Sequence, residues 1–417
     1  MVMRVLLRWV LLLGVFFTSG VSALVYQVVW TRQLALVFGV TIHAVSVVLA
    51  VFMGGLALGY YLGGKFAGRV RRPLLAYAGL EAGIAVLALL VLVAVQLLGP
   101  VYVGAFNLFG GSAFAATLLR FVVAALALLL PTCAMGATLP FITQALSHRH
   151  GGVGGSLSLL YAVNTAGAAT GALLAGFYLI GNLGFQASIF IAAALNLGAA
   201  GLAGLLSLLL DGRAETEGLA DEVGSEPAAT VDHTRLVVLA MAISGLCALA
   251  YEVVWFRVMD LFLDGTSYAF SLMLAVFLVG LALGSAVSRL ILQARWNWVA
   301  ALGVIEFGVA LSALAGPYLL SLLPDTYAAV QSGVPWLQAH PDTSTALLLA
   351  LALAPLTLLL GVSFPVATQA ITQGSREPMK LLGWMSAANT TGALAGSLLA
   401  GFVLMPLLGS QHSLVLL

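Results

Sequence analysis

The chain has 417 residues, of which 62% are apolar and only 7% charged, and its mean hydropathy is +1.11. A soluble domain needs about 25% charged residues to cover its outside, and a disordered chain has far less to bury, so both classes are excluded. Sixteen Lys and Arg against fifteen Asp and Glu leave no basic face to neutralise phosphates, so nucleic acid is not an expected partner.

The apolar residues come in long runs, not in alternating ten-residue segments. This predicts an all-α polytopic membrane protein and disfavours a β-barrel. In chain order, the runs predict helices near 8–37, 42–64, 74–98, 115–146, 156–180 and 187–210. At the start, Arg4 and Arg8, an apolar run and Val21-Ser22-Ala23 also fit a cleaved signal peptide. Against that, residues 19–37 have a counterpart in mid-chain, where no signal peptide can lie. Residues 211–235 are polar, acidic and Gly/Ala-rich, and are read as a flexible cytoplasmic linker or an acidic interaction segment. The second set of helices is expected near 236–262, 267–288, 298–322, 344–373 and 381–403, with a last one opening near 410.

The two sets are copies. SGVSALVYQVVWTRQLALVFG from Ser19 recurs as SGLCALAYEVVWFRVMDLFLDG from Ser244, an offset of 225. The same offset aligns Glu81 with Glu306, Gly136-Ala-Thr-Leu-Pro140 with Gly361-Val-Ser-Phe-Pro365, and Asn164-Thr165-Ala166-Gly167 with Asn389-Thr390-Thr391-Gly392. The expected domains are therefore 1–210, the linker 211–235 and 236–417. Six helices is an even number, so the repeats are parallel, as in the two halves of the major facilitator architecture. By the offset, Leu417 corresponds to position 192, so the twelfth helix is expected to be truncated and the sequence to be a fragment.

Lys and Arg fix the orientation. With the N-terminus cytoplasmic, all fall on inner segments except Arg32, Arg120 and Arg257, whereas Asp260, Asp264, Asp325 and Asp342 fall outside. A multi-pass protein of the cell (inner) membrane, with the lipid bilayer as its first partner, is expected.

Tyr26-Gln27-Val28-Val29-Trp30-Thr31-Arg32 and Tyr251-Glu252-Val253-Val254-Trp255-Phe256-Arg257 carry the most chemistry. Tyr and Trp four apart share a helix face. Two readings stand: an interfacial aromatic belt with snorkelling Arg32 and Arg257, or the wall of a substrate cavity. Glu252 replaces Gln27, and a lone acid at that depth is a functional candidate. Asn164 and Asn389 are read as hydrogen-bonding across the bundle or lining the cavity. Glu81 and Glu306 are read as structural ties to Arg69, Arg71 or Arg289, or as proton- or cation-coupling groups. Arg120 is read as snorkelling or as an anion contact. Gly167, Gly171 and Ala175, like Gly392, Gly396 and Ala400, form small-residue stripes for close helix packing. Pro131, Pro140, Pro355 and Pro365 predict kinks. Cys133 and Cys247 are packing residues. No Walker loop or nucleotide fingerprint is present, and His148 and His150 lack further ligands, so no catalytic residue, metal or cofactor is expected in this chain.

Gly59-Tyr-Tyr-Leu-Gly-Gly-Lys-Phe-Ala-Gly-Arg-Val-Arg-Arg72 resembles the glycine- and arginine-rich loop of major facilitator proteins, with Gly68 where that family normally has an acid. The YQVVWTR and YEVVWFR segments, the LALG stretches from Leu56 and Leu281, and the NT-G-AGF helices resemble the membrane portion of fused major-facilitator/spermidine-synthase-like proteins, over residues 15–417. That resemblance implies a following cytoplasmic domain similar to polyamine aminopropyltransferases, which use decarboxylated S-adenosylmethionine. None of that domain's catalytic residues has a counterpart here. Two functions follow. One is a transporter of a small organic cation such as a polyamine, with Tyr26, Trp30, Tyr251, Glu252 and Trp255 supplying acid and cation–π contacts. The other is a module that anchors, or feeds substrate to, the aminopropyltransferase-like enzyme.

Overall fold

The computed structural model describes residues 2–38, 42–109, 112–147, 153–214, 231–262, 267–294, 296–322, 326, 333, 335–338 and 341–417. Most of the expected linker (215–230), the His148–Gly152 connection and Arg295 lie outside them, as do Asp264 and Asp325.

The long apolar runs fold as helices, because in lipid only a helix satisfies its own backbone polar groups segment by segment. The first half holds α1 (Val2–Phe38), α2 (Ile42–Ala67), α3 (Pro73–Phe109), α4 (Ala113–Ser147), α5 (Val153–Leu173) and α6 (Ile180–Ala214), with a π-helical stretch Leu174–Leu179 joining the last two. The second holds α7 (Val231–Phe262), α8 (Ser267–Ile291), α9 (Trp298–Ser321), α10 (Pro341–Thr372), α11 (Pro378–Leu399) and α12 (Met405–Leu416), with a π stretch at Ala400–Leu404 and a four-residue turn of helix at Pro335–Gln338. Ten stretches among the described residues are long and apolar enough to cross a bilayer. Two of them, 157–209 and 378–416, contain a break where Gly184 (φ 77°) and Gly409 (φ 68°) leave the helix. Beyond Gly184 the chain packs back on α1 and α3. These two glycines sit at the same repeat position, in backbone space that side-chain-bearing residues rarely enter.

The predicted boundaries hold to within a few residues at most ends. α3 departs most, running to Phe109 instead of 98 with Pro100 inside it. Pro131, Pro140, Pro355 and Pro365 lie within continuous helices, so each missing N–H is absorbed without ending its helix.

Packing repeats with the sequence. α1 packs on α5 and α6, α2 on α4, and α3 on α4 and α6; correspondingly α7 packs on α11 and α12, α8 on α10, and α9 on α10 and α12. The agreement reaches single atoms. Asn164 Nδ2 donates to the Phe16 carbonyl at 3.0 Å, and Asn389 Nδ2 donates to the Met241 carbonyl at 2.9 Å. A Cβ on Gly20 would lie 2.1 Å from the Asn164 carbonyl oxygen, and one on Gly245 would lie 2.0 Å from that of Asn389. Small residues are thus required where α1 crosses α5 and α7 crosses α11, as the glycine stripes predict.

The halves meet along α2–α11 and α5–α8. The 225 offset turns each of these pairs into the other, as a two-fold axis through the bundle requires. One end of the bundle carries the exposed basic residues Lys65, Arg69, Arg71, Arg72 and Arg289, and is called the basic end below. There a single apolar core spans both halves, from Leu12, Phe16 and Ile142 to Val366 and Leu382. Farther along, most of each half packs in a core of its own.

Candidate functional site

Between the halves lies a cavity of about 260 Å³. Its wall draws on α1 through Ser19, Ala23 and Gln27, which the four-residue spacing of a helix places on one stripe. The α5 side adds Tyr161, Asn164 and Thr165, α2 adds Tyr60, α6 adds Asn196, α7 adds Glu252, and α8 adds leucines such as Leu274 and Leu278.

Among the described residues, Glu252 is the one acidic side chain in that wall, and it is only 8% exposed. Its carboxylate has no hydrogen-bond or ion-pair partner among the described residues. Gln27, its repeat equivalent, lines the same cavity from the other half. The cavity is otherwise mostly apolar, and a lone acid facing such a space within the bilayer is costly unless something positive visits it. Tyr60 and Tyr161 supply aromatic surface on the same wall.

The motif's aromatic residues are elsewhere, which corrects the expected cation–π wall and the interfacial belt alike. Tyr26 and Trp30 are fully buried and stack at 5.1 Å between ring centroids with 12° between planes, inside the core of the first half. Tyr251 and Trp255 are buried in the core of the second, and the Tyr251 hydroxyl donates to the Leu414 carbonyl at 2.6 Å. The reason is rotational: successive residues differ by about 100° around a helix, so Gln27 and Glu252 face the cavity while their neighbours face inward. Arg32 is half-buried and Arg257 exposed; neither is in the cavity wall. Asn389 also lies outside it, whereas Asn164 is in it.

Glu81 and Glu306 correct another expectation. Neither is tied to Arg69, Arg71 or Arg289. Glu81 is wholly buried; Ser19 Oγ donates to its Oε1 at 2.5 Å and Asn196 Nδ2 donates to its Oε2. Glu306 is half-buried and accepts from Ser363 Oγ at 2.5 Å. Arg120 donates from Nε to the Tyr102 hydroxyl at 3.3 Å.

Sequence reasoning missed Ser19, Tyr60, Tyr161, Thr165 and Asn196. A signal existed for the first: Ser19, Ala23 and Gln27 form a small-and-polar stripe on an otherwise apolar helix. Nothing in the sequence pairs Asn196 with Glu81, 115 positions away.

The described residues hold no cluster of three or more His, Cys, Asp or Glu that could bind a metal. No family model and no curated protein matches the sequence. Solved structures do resemble it. A bacterial homologue of the iron transporter ferroportin in an outward-facing state superposes with a TM-score of 0.62 at 14% identity, covering 98% of this chain and 97% of that one. The Escherichia coli fucose:proton symporter FucP gives 0.56 at 13%, covering 98% and 95%. The major facilitator superfamily proton:xylose symporter XylE gives 0.52 at 14%, covering 98% and 91%. At such identities the likeness shows the fold: an all-helical bundle of the major facilitator type in the membrane.

Proposed function

We propose that this chain is a transporter of a small organic cation, of the charge and size of a polyamine, working by alternating access around the cavity between its halves. The observation that carries this reading is Glu252: an acid with no partner among the described residues, in a mostly apolar cavity to which both halves contribute. An ammonium group neutralises it, and the aromatic faces of Tyr60 and Tyr161 add cation–π attraction. Asn164 and Gln27 offer oxygen acceptors for further N–H donors. Fold and symmetry support the motion, since rocking one half on the other exposes a fixed midpoint site to each side in turn. The excess of Lys and Arg at one end supports placing that end, and the N-terminus, in the cytoplasm. The location we propose with this reading is the inner membrane.

The test is uptake of labelled putrescine into liposomes holding the purified protein. We expect uptake above empty vesicles, reduced about ten-fold or more by Glu252→Gln, the equivalent of about 1.4 kcal/mol. Uptake no higher than in empty vesicles would overturn polyamine transport. The role left would be the other one implied by the sequence resemblance, a membrane module that anchors or feeds an aminopropyltransferase-like domain.

A further inference from the structure

Glu81 is a second buried acid, unused by the substrate site but adjoining it. It lies nine positions into α3, wholly enclosed, and both its oxygens accept hydrogen bonds from neutral donors, Ser19 on α1 and Asn196 on α6. Both donors also line the central cavity. The titratable groups facing it are two hydroxyls: Tyr77, on its own helix and close to the carboxylate, and Tyr26, on α1 and within electrostatic reach. Among the described residues α4 and α6 present it no titratable group, and no Lys, Arg or His pairs with it. Two buried polar atoms around it lack partners: Tyr26 Oη and Asn196 Oδ1. Asn196 is only 2% exposed, and an orphaned buried acceptor of this kind calls for an explanation.

A carboxylate enclosed in a lipid-embedded bundle needs a positive companion. A hard metal ion takes six or more oxygen ligands, whereas this site offers one carboxyl whose two oxygens already face donor hydrogens. A proton needs only one carboxyl oxygen and a neighbouring acceptor. If the Asn196 amide turns over, its unpartnered Oδ1 accepts from a protonated Glu81. We infer that Glu81 is the proton-carrying group of the transport cycle, exchanging its proton with the central cavity through the shell formed by Ser19 and Asn196; this rests on the transporter reading above. On release the carboxyl O–H bond breaks, the proton passes to a cavity water as hydronium, and the electron pair stays on the carboxylate, where Ser19 and Asn196 stabilise it. Reloading is the reverse. The repeat partner Glu306 and its donor Ser363 do not line this cavity; Glu306 lines a separate cavity of about 310 Å³ within the second half.

Two measurements on the reconstituted protein test this. The first is the infrared difference spectrum on a pH step, with no substrate present. We expect a carboxyl C=O band that grows on acidification, is absent in Glu81→Gln, persists in Glu252→Gln, and returns shifted in Glu81→Asp, which keeps a carboxyl. The second is putrescine accumulation driven by an imposed proton gradient, which Glu81→Gln should reduce about ten-fold while leaving equilibration intact. A band indifferent to Glu81→Gln would overturn the inference, as would gradient-driven accumulation that survives the substitution. If putrescine does not enter at all, the transporter reading fails and the infrared band alone decides the fate of the proton site.

Discussion

Asn164 and Asn389 show how a single side chain is used twice. Each bridges to a carbonyl of the opposing helix at the same repeat position, replacing a polar group that lipid would leave unpaired. Hydrogen bonds between membrane helices contribute about 0.6 kcal/mol on average and up to about 1.7 kcal/mol. Asn389→Ala should therefore lower the unfolding midpoint in detergent by a modest amount without changing uptake. Asn164→Ala should cost the same stability and also impair uptake, since only Asn164 faces the cavity. Equal uptake by the two variants would contradict that division. The sequence showed both asparagines as polar contacts within the bundle, and nothing in it distinguished their surroundings. The aromatic motif was legible as special but not in its direction. Tyr26 and Trp30 share a face, yet that face is the one pressed into the half's own core, and Gln27 and Glu252, a third of a turn away, carry the polar surface of the cavity.

At the scale of helices, the two inter-half crossings are related by the repeat but chemically unequal. Where α5 meets α8, Ser158 Oγ donates to the Ser285 carbonyl at 2.7 Å, Ser285 Oγ donates back to the Ser158 carbonyl at 2.9 Å, and Ser158 and Ser288 share a hydrogen bond at 2.8 Å. Where α2 meets α11, the equivalent position of Ser158 is Gly383, whose added Cβ would stand 2.6 Å from the Cα of Gly64. One crossing is latched by hydroxyls, and the other brings the backbones of Gly64 and Gly383 into contact. Gly383→Leu leaves the helix intact but cannot fit against α2, because two backbones at contact leave no room for a side chain. That variant should hold the basic end apart and abolish net putrescine uptake, with a cysteine placed at Tyr60 becoming reactive to a water-soluble thiol reagent added on the basic side. Wild-type uptake with an unreactive cysteine would contradict the closure. Helix number, order and most limits were readable in advance because apolar runs of span length have few alternatives in lipid. The extension of α3 to Phe109 was not, since Pro100 reads as a stop signal, although a long membrane helix can absorb it.

For the molecule as a whole, the duplication explains both the symmetry and its useful failures. A perfect copy would place the same residue on both sides of the cavity; instead Glu252 faces Gln27, giving one charge where two would repel. The apolar core that spans both halves at the basic end, against the largely separate cores beyond it, describes two bodies joined more firmly at one end. Two like halves were implicit in the 225-residue offset, but which end joins them depends on long-range packing between α5, α8, α2 and α11 that no local pattern encodes. Alternating access is best tested by distances between spin labels on the two halves, measured with and without putrescine. One pair sits at Arg71 and Arg376 on the basic end, the other at Leu108 and Leu322 on the opposite end, all four positions exposed. The account predicts that putrescine changes the two distances in opposite directions, one widening as the other closes; two distances that stay fixed, or move together, would contradict it.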